Sequence, residues 1–166
     1  MNKKILSVLV LAVVFLVVSL GGWTTYQHNG WNLVDSGNHI DWTGSCSYMA
    51  QWNASVALWN NRHNVIRKDT LFTVLDLTIS DYTDTTSVFA VTSANGTIKF
   101  NTSNMNSFTD AEIMHTVLHE IGHALGLGHA VSGVDCALSV MEQGQKSLTS
   151  PSPDDFLEYD RLYSLY

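Results

Sequence analysis

The spacing of apolar positions changes several times along the chain. Ile5 to Leu20 is an apolar run interrupted only by Ser7 and Ser19. Residues 23–45 are rich in Gly, Asn, Trp and Thr and read as loop, with one short strand near Ile40. From Ser47 to Asn61, the residues Tyr48, Met49, Trp52, Val56 and Trp59 recur at three- and four-residue spacing, which gives a helix one apolar face. Ser45 and Ser47 stand where a capping side chain is wanted. Between residues 65 and 101 the period shortens to two. Leu71, Leu75, Leu77 and Ile79 fall on one face of an extended chain, Val88 to Thr92 is β-prone, and Thr97 to Phe100 is entered through the tight-turn pair Asn95-Gly96. These segments predict a small sheet of three to five strands. Thr109 and Glu112 form a capping box for a helix running to about Leu125, where Gly126 and Gly128 break it. A loop is expected to about Ser150. Ser152-Pro153 then opens a last helix with Phe156, Tyr159, Leu162 and Tyr163 on one side. Helices on either side of a run of strands place the chain in the α+β class.

The first apolar run is not part of that domain. Lys3 and Lys4 precede it, and Ser19 and Gly21 suit the −3 and −1 positions of a cleavage site. Residues 1–22 therefore read as a secretory signal peptide, with an uncleaved membrane anchor as the alternative. The run is shorter than the roughly 20 apolar residues that span a bilayer comfortably. Removing both lysines takes the formal net charge from −7 to −9 and leaves six Lys or Arg. No basic cluster remains to hold phosphates, which argues against nucleic acid as a partner. Two cysteines in an exported protein, Cys46 and Cys136, suggest one disulfide; the alternative is a thiolate metal ligand.

The chemistry concentrates in His119-Glu120-Ile121-Gly122-His123. Histidines four apart on a helix stand one turn apart on the same face, separated by about 5–6 Å, so both can reach one zinc. Glu120 lies about 100° around from His119, beside the metal and not on it, where a carboxylate can act as general base. Six residues on comes His129. A continued helix would carry it away from the other two. Gly126 can take a left-handed conformation, end the helix and turn the chain back. Three protein ligands leave one position open, as in catalytic zinc sites. His, Glu, His, Gly and His in this register arise by chance on the order of 10⁻⁵ per chain. His115 shares the face of His119 and reads as a core or rim histidine, because the ligand set is already full; the alternative is a residue that supports the site. His28, His39 and His63 have no partner at metal spacing.

His119 to His129 resembles the H-E-x-x-H-x-x-G-x-x-H of the metzincin metalloproteases. Ser139-Val140-Met141 resembles their methionine turn, and Ser152 to Tyr163 is similar to the last helix of the matrixin branch. Gly96 to Phe100 resembles the strand before the active-site helix, and Trp59 falls near the end of the first helix. The resemblance spans most of residues 40–166. It implies that residues 23–166 form one catalytic domain: a twisted mixed sheet with two long helices and a C-terminal helix. It implies a monomeric, secreted, extracellular zinc endopeptidase with one catalytic zinc, a zinc-activated water and Glu120 as its base. A protein or peptide substrate would lie extended in a cleft and pair with an edge strand near Ser87 to Thr92, with no membrane contact after signal cleavage. Met141 would form a hydrophobic floor under the ligands, and Asp154 or Asp155 would bond to the methionine turn or a new N-terminus. The chain departs from the family in lacking a cysteine switch, a His-Gly-Asp segment for a second zinc, and a Pro-x-Tyr wall, where it reads Glu142-Gln143-Gly144. Calcium ligands are not evident. Asp81 and Asp84 could supply oxygens but read as a solvated loop. Two rivals are a non-enzymatic zinc-binding or adhesion module on a protease-like fold, which an intact Glu120 argues against, and a membrane-tethered protease.

Overall fold

The computed structural model describes residues 24–133 and 136–166; the segment read as a signal peptide lies outside them. The elements run β1 (Thr25–His28), β2 (Ile40–Gly44), α1 (Met49–Asn60), β3 (Ile66–Lys68), β4 (Leu77–Tyr82), β5 (Ala90–Ser93), β6 (Thr97–Asn101), a short α2 (Thr102–Met105), α3 (Asp110–Ala124), β7 (Leu127–Ser132), a 3₁₀ turn (Cys136–Leu138) and α4 (Pro153–Tyr163). No helix among the described residues is long and apolar enough to cross a membrane.

The expected mixed sheet is present. Five strands lie in the order β3-β2-β4-β6-β5, all parallel except β5, which returns antiparallel along β6 and forms the edge. Leu77 and Ile79 of β4 and Ile98 and Phe100 of β6 alternate into the core. There they meet Trp52 and Trp59 of α1 and Val117, Leu118 and Ile121 of α3. Trp42 and Trp52 pack edge to face at 5.2 Å within the core. The Trp59 indole N–H donates to the Leu118 carbonyl at 3.2 Å and so ties α1 to α3.

Both capping boxes form. Thr109 and Glu112 close the start of α3, and Ser152 and Asp155 close α4 with Pro153 in its first turn. α1 differs from expectation, because neither Ser45 nor Ser47 caps it. Ser47 instead donates its N–H and hydroxyl to the Asp81 carboxylate at 2.8 and 2.7 Å.

Three strands escaped the periodicity: β1, β3 and β7. Strand β7 occupies part of the stretch expected to be loop, where it pairs antiparallel with β1. Conversely, Leu71 and Leu75 are not in a strand. Leu71 and Phe72 are 98% and 97% exposed on a turn. The Thr73 hydroxyl donates to Asp69 at 2.7 Å and accepts from the Thr70 N–H at 2.9 Å, and such local bonds outcompete a sheet ladder.

The expected disulfide is absent: Cys46 and Cys136 are both free thiols. Each is held in a different setting. Cys46 is buried before α1 with its Sγ 3.9 Å from the Met49 sulfur, while Cys136 stands in the field of Glu142, Lys146 and Asp155. Two cysteines in a chain say nothing of whether the fold brings their β-carbons together.

Candidate metal centre

The end of α3 decides where the three histidines go. Leu125 is the last residue in right-handed conformation, and Gly126 takes φ +98°, which costs a residue with a β-carbon far more than glycine. The freed carbonyls find partners in distant parts of the chain. The Leu33 N–H donates to Ala124 at 2.8 Å, the Asn29 amide donates to His123 at 3.1 Å, and the Tyr166 hydroxyl donates to Leu125. The chain then enters β7. A β-carbon on Gly128 would lie 1.9 Å from the Gln27 carbonyl, so its lack of one lets β1 approach.

This turn brings His129 back to His119 and His123. The Nε2 atoms of His119 and His123 are 3.1 Å apart, and those of His123 and His129 are 3.2 Å apart. The outer nitrogens are engaged elsewhere: His119 Nδ1 faces the Val140 carbonyl and His123 Nδ1 faces the Leu127 carbonyl, both at 2.8 Å. A carbonyl can only accept, so these Nδ1 atoms carry the protons and both Nε2 atoms present lone pairs inward. Burial, with each neighbouring imidazole adding to it, keeps His119 neutral well below the usual range and pushes His123 down to about 4. Converging, unprotonated imidazole nitrogens suit a cation. Tetrahedral zinc ligands at about 2.0–2.1 Å stand roughly 3.3 Å from one another, close to the spacing here. The donor set therefore fits zinc.

Glu120 lies beside this cluster with its carboxyl buried, and burial pushes it up to about 7. Sequence reasoning missed its partner. The Thr92 hydroxyl on edge strand β5 donates to Glu120 Oε2 at 2.5 Å, and nothing in the spacing of these residues announces the contact. The same cavity, about 530 Å³, is bounded by Val88 to Thr92, the three histidines, Glu120, Gln143 and the buried His115. The expected edge strand near Ser87 to Thr92 therefore does border the site.

Beneath the histidines Met141 is fully buried. A β-carbon on Gly122, between His119 and His123, would lie 2.4 Å from the Met141 sulfur, and the Ala130 N–H beside His129 donates to the Met141 carbonyl at 2.9 Å. Asp155 locks this turn. It accepts from the Ser139 hydroxyl at 2.5 Å, the Val140 N–H at 3.0 Å and the Tyr26 hydroxyl at 2.8 Å. Asp154 accepts from the backbone N–H of Thr24 at 2.8 Å.

The family model described as Matrixin matches residues 52–164. The chain belongs to the matrixin family. No curated protein matches it significantly. As a matrixin it is a zinc metalloprotease in general terms, and the histidine cluster is the group that could hold the zinc. The two carboxylates considered for calcium hold backbone instead: Asp81 binds Ser47, and Asp84 accepts from the Thr86 N–H at 2.9 Å. A second acidic group, Asp35, Asp41 and Asp76, is drawn together partly by structural bonds; Asp41 pairs with Arg67 at 2.7 Å.

Proposed function

We propose that this matrixin is a secreted, monomeric endopeptidase in which His119, His123 and His129 hold one catalytic zinc and Glu120 is the general base. The observation that carries the reading is the buried Glu120 carboxylate on the wall of the cavity into which the three histidines converge. The chemistry that a zinc ion would supply when held there is a lowered pKa for a bound water and a polarised substrate carbonyl.

The chain's own residues supply the rest. Burial raises the affinity of Glu120 for a proton, which suits a group that must take one from the attacking water and release it to the leaving nitrogen. Thr92 fixes the orientation of that carboxylate. Strand β5 is bonded to β6 on one side only, so its outer edge can accept an extended peptide as a further strand across the cavity. Val140 and Leu127 hold the imidazoles in the tautomer that presents Nε2 inward. Residues 1–22 supply the export signal.

Glu120→Gln tests this directly. The variant should bind one zinc per chain as the parent does and lose at least about a thousandfold in kcat/KM on a casein or peptide-library substrate, since the group that moves the proton is gone. Parent-like turnover in Glu120→Gln would sink the mechanism. Parent protein that binds zinc and cleaves no peptide would favour a binding module.

A further inference from the structure

The chain between β4 and β5, Thr83 to Phe89, forms no regular element, yet Ser87, Val88 and Phe89 line the cavity beside Glu120 and the three histidines. A loop with no ladder of its own needs other partners for its backbone. Two asparagines supply them. Asn101, the last residue of β6, is fully buried. Its Nδ2 donates to the carbonyls of Asp84 at 3.1 Å and Val88 at 3.0 Å, and its Oδ1 accepts from the N–H groups of Asp84 at 3.1 Å and Ser103 at 3.2 Å. Both donors and both acceptor positions of the carboxamide are therefore used. Its backbone N–H donates to the Phe89 carbonyl at 2.8 Å. Asn104 of α2 donates to the carbonyls of Thr86 at 2.7 Å and Val88 at 2.9 Å. Two amides thus clasp the Val88 carbonyl, two residues before the ladder of β5 begins at Ala90. The neighbouring Phe89 ring rests edge to face on Phe108 at 4.9 Å. The loop is pinned to β6 and α2 on one side and borders the cavity on the other.

We propose that Asn101 and Asn104 are positioning residues for the substrate: together they hold the Ser87–Phe89 rim in place where an extended peptide on β5 meets it, and so they set substrate affinity. The proposal rests on the proteolytic reading above. A rim free to move would have to be ordered by the peptide as it binds, and that entropy would be lost from the affinity. Once the peptide is seated, the chemical step depends on groups held by other contacts: Glu120 by Thr92, His119 by Val140 and His123 by Leu127. The effect of the clasp therefore falls on KM and not on kcat. The residue type matters. A carboxamide gives two N–H donors to carbonyls without bringing a charge. An aspartate has the same shape but offers only acceptors, so it would face the Val88 carbonyl oxygen against oxygen.

The test is made at Asn104, which is half-buried, so that the fully buried Asn101 stays in place and the chain folds. In the full zinc-loaded chain, Asn104→Ala should raise KM for a long peptide about fivefold and leave kcat within about twofold of the parent's. A minimal substrate too short to reach the rim should keep the parent's KM. Asn104→Asp should do no better than alanine, and Asn104→Gln, which carries the amide on a longer arm, should recover part of the affinity. A residue that only fills space would give the opposite order, with aspartate close to the parent. Amide exchange over Thr86 to Phe89 should quicken about tenfold in Asn104→Ala, with α3 unchanged. An unchanged KM for the long peptide, an equal rise for the minimal one, or unchanged exchange in the loop overturns the proposal and leaves the protease reading standing. A parent chain that cleaves no peptide overturns the protease reading itself, and with it any substrate role for the two asparagines.

Discussion

The two flanks of the metal centre are held by different kinds of structure. On one flank, His119 and His123 stand a turn apart on α3, whose start is fixed by the Thr109–Glu112 capping box and whose apolar face is buried against α1. The spacing that sets them on one face, and the cap that starts their helix, lie within the fifteen residues of α3 and the one before it. On the other flank, His129 depends on a left-handed glycine, on a strand pairing with residues 25–28, and on carbonyl partners from Asn29, Leu33 and Tyr166. The first flank is local and redundant. The second is a meeting of distant segments: the Asn29 contact spans 94 residues and the Tyr166 contact 41.

The largest effect should come from Gly128→Ala. Its methyl would run into the Gln27 backbone, which has little room to yield, so β1 and β7 must separate. A loss of about 3 kcal/mol is expected by denaturant unfolding. Zinc affinity should fall by at least about tenfold, as one ligand goes astray. Amide exchange should show α3 still protected; equal loss of protection in α3 and β7 would erase the distinction between the flanks.

Asp155→Ala attacks the joint between them. It frees Ser139 and the Val140 N–H, and through the Val140 carbonyl it loosens His119. About 2–3 kcal/mol of stability should go, with zinc affinity reduced roughly tenfold in a chelator competition. Unchanged zinc affinity would mean that α3 alone holds His119.

Thr92→Val keeps shape and removes the hydrogen bond to Glu120. That bond favours the charged carboxylate, so its loss raises the pKa further. kcat/KM should drop about fivefold at pH 8 and more at pH 6, with Thr92→Ser restoring most of it. A pH profile superimposable on the parent's would remove Thr92 from the catalytic account.

His115→Phe bears on stability. In the folded chain the ring resists protonation down to about 4, whereas in the unfolded chain it titrates near 6.5, so the unfolded state binds more protons between those values. The native state therefore loses stability as pH falls from 6.5 toward 4. The variant should escape that loss, by about 1 kcal/mol at pH 5.5, in zinc-free urea melts. Parallel pH curves for parent and variant would show that the ring is not buried as described. The smallest effect belongs to Phe72→Ser, on a turn that touches neither flank. Stability and activity should stay within about 0.5 kcal/mol of the parent's.

The sequence alone determined the parts of this protein that depend on near neighbours. Helical periodicity and capping residues located α1, α3 and α4, because such signals complete themselves within one or two turns. The spacing of His119, Glu120, His123, Gly126 and His129 foretold the histidine cluster for the same reason: a helix of known pitch and one glycine that ends it. Only the tertiary structure decided what depends on distant segments. Strands β1 and β7 carry little pattern of their own and exist because each supplies the other's hydrogen bonds. The alternation at Leu71 and Leu75 promised a strand that local threonine and aspartate bonds prevent. The state of Cys46 and Cys136, the hold of Thr92 on Glu120, and the burial of His115 depend on which side chains meet across the fold. A helix repeats its geometry every 3.6 residues. A contact between residues 92 and 120 has no period to read.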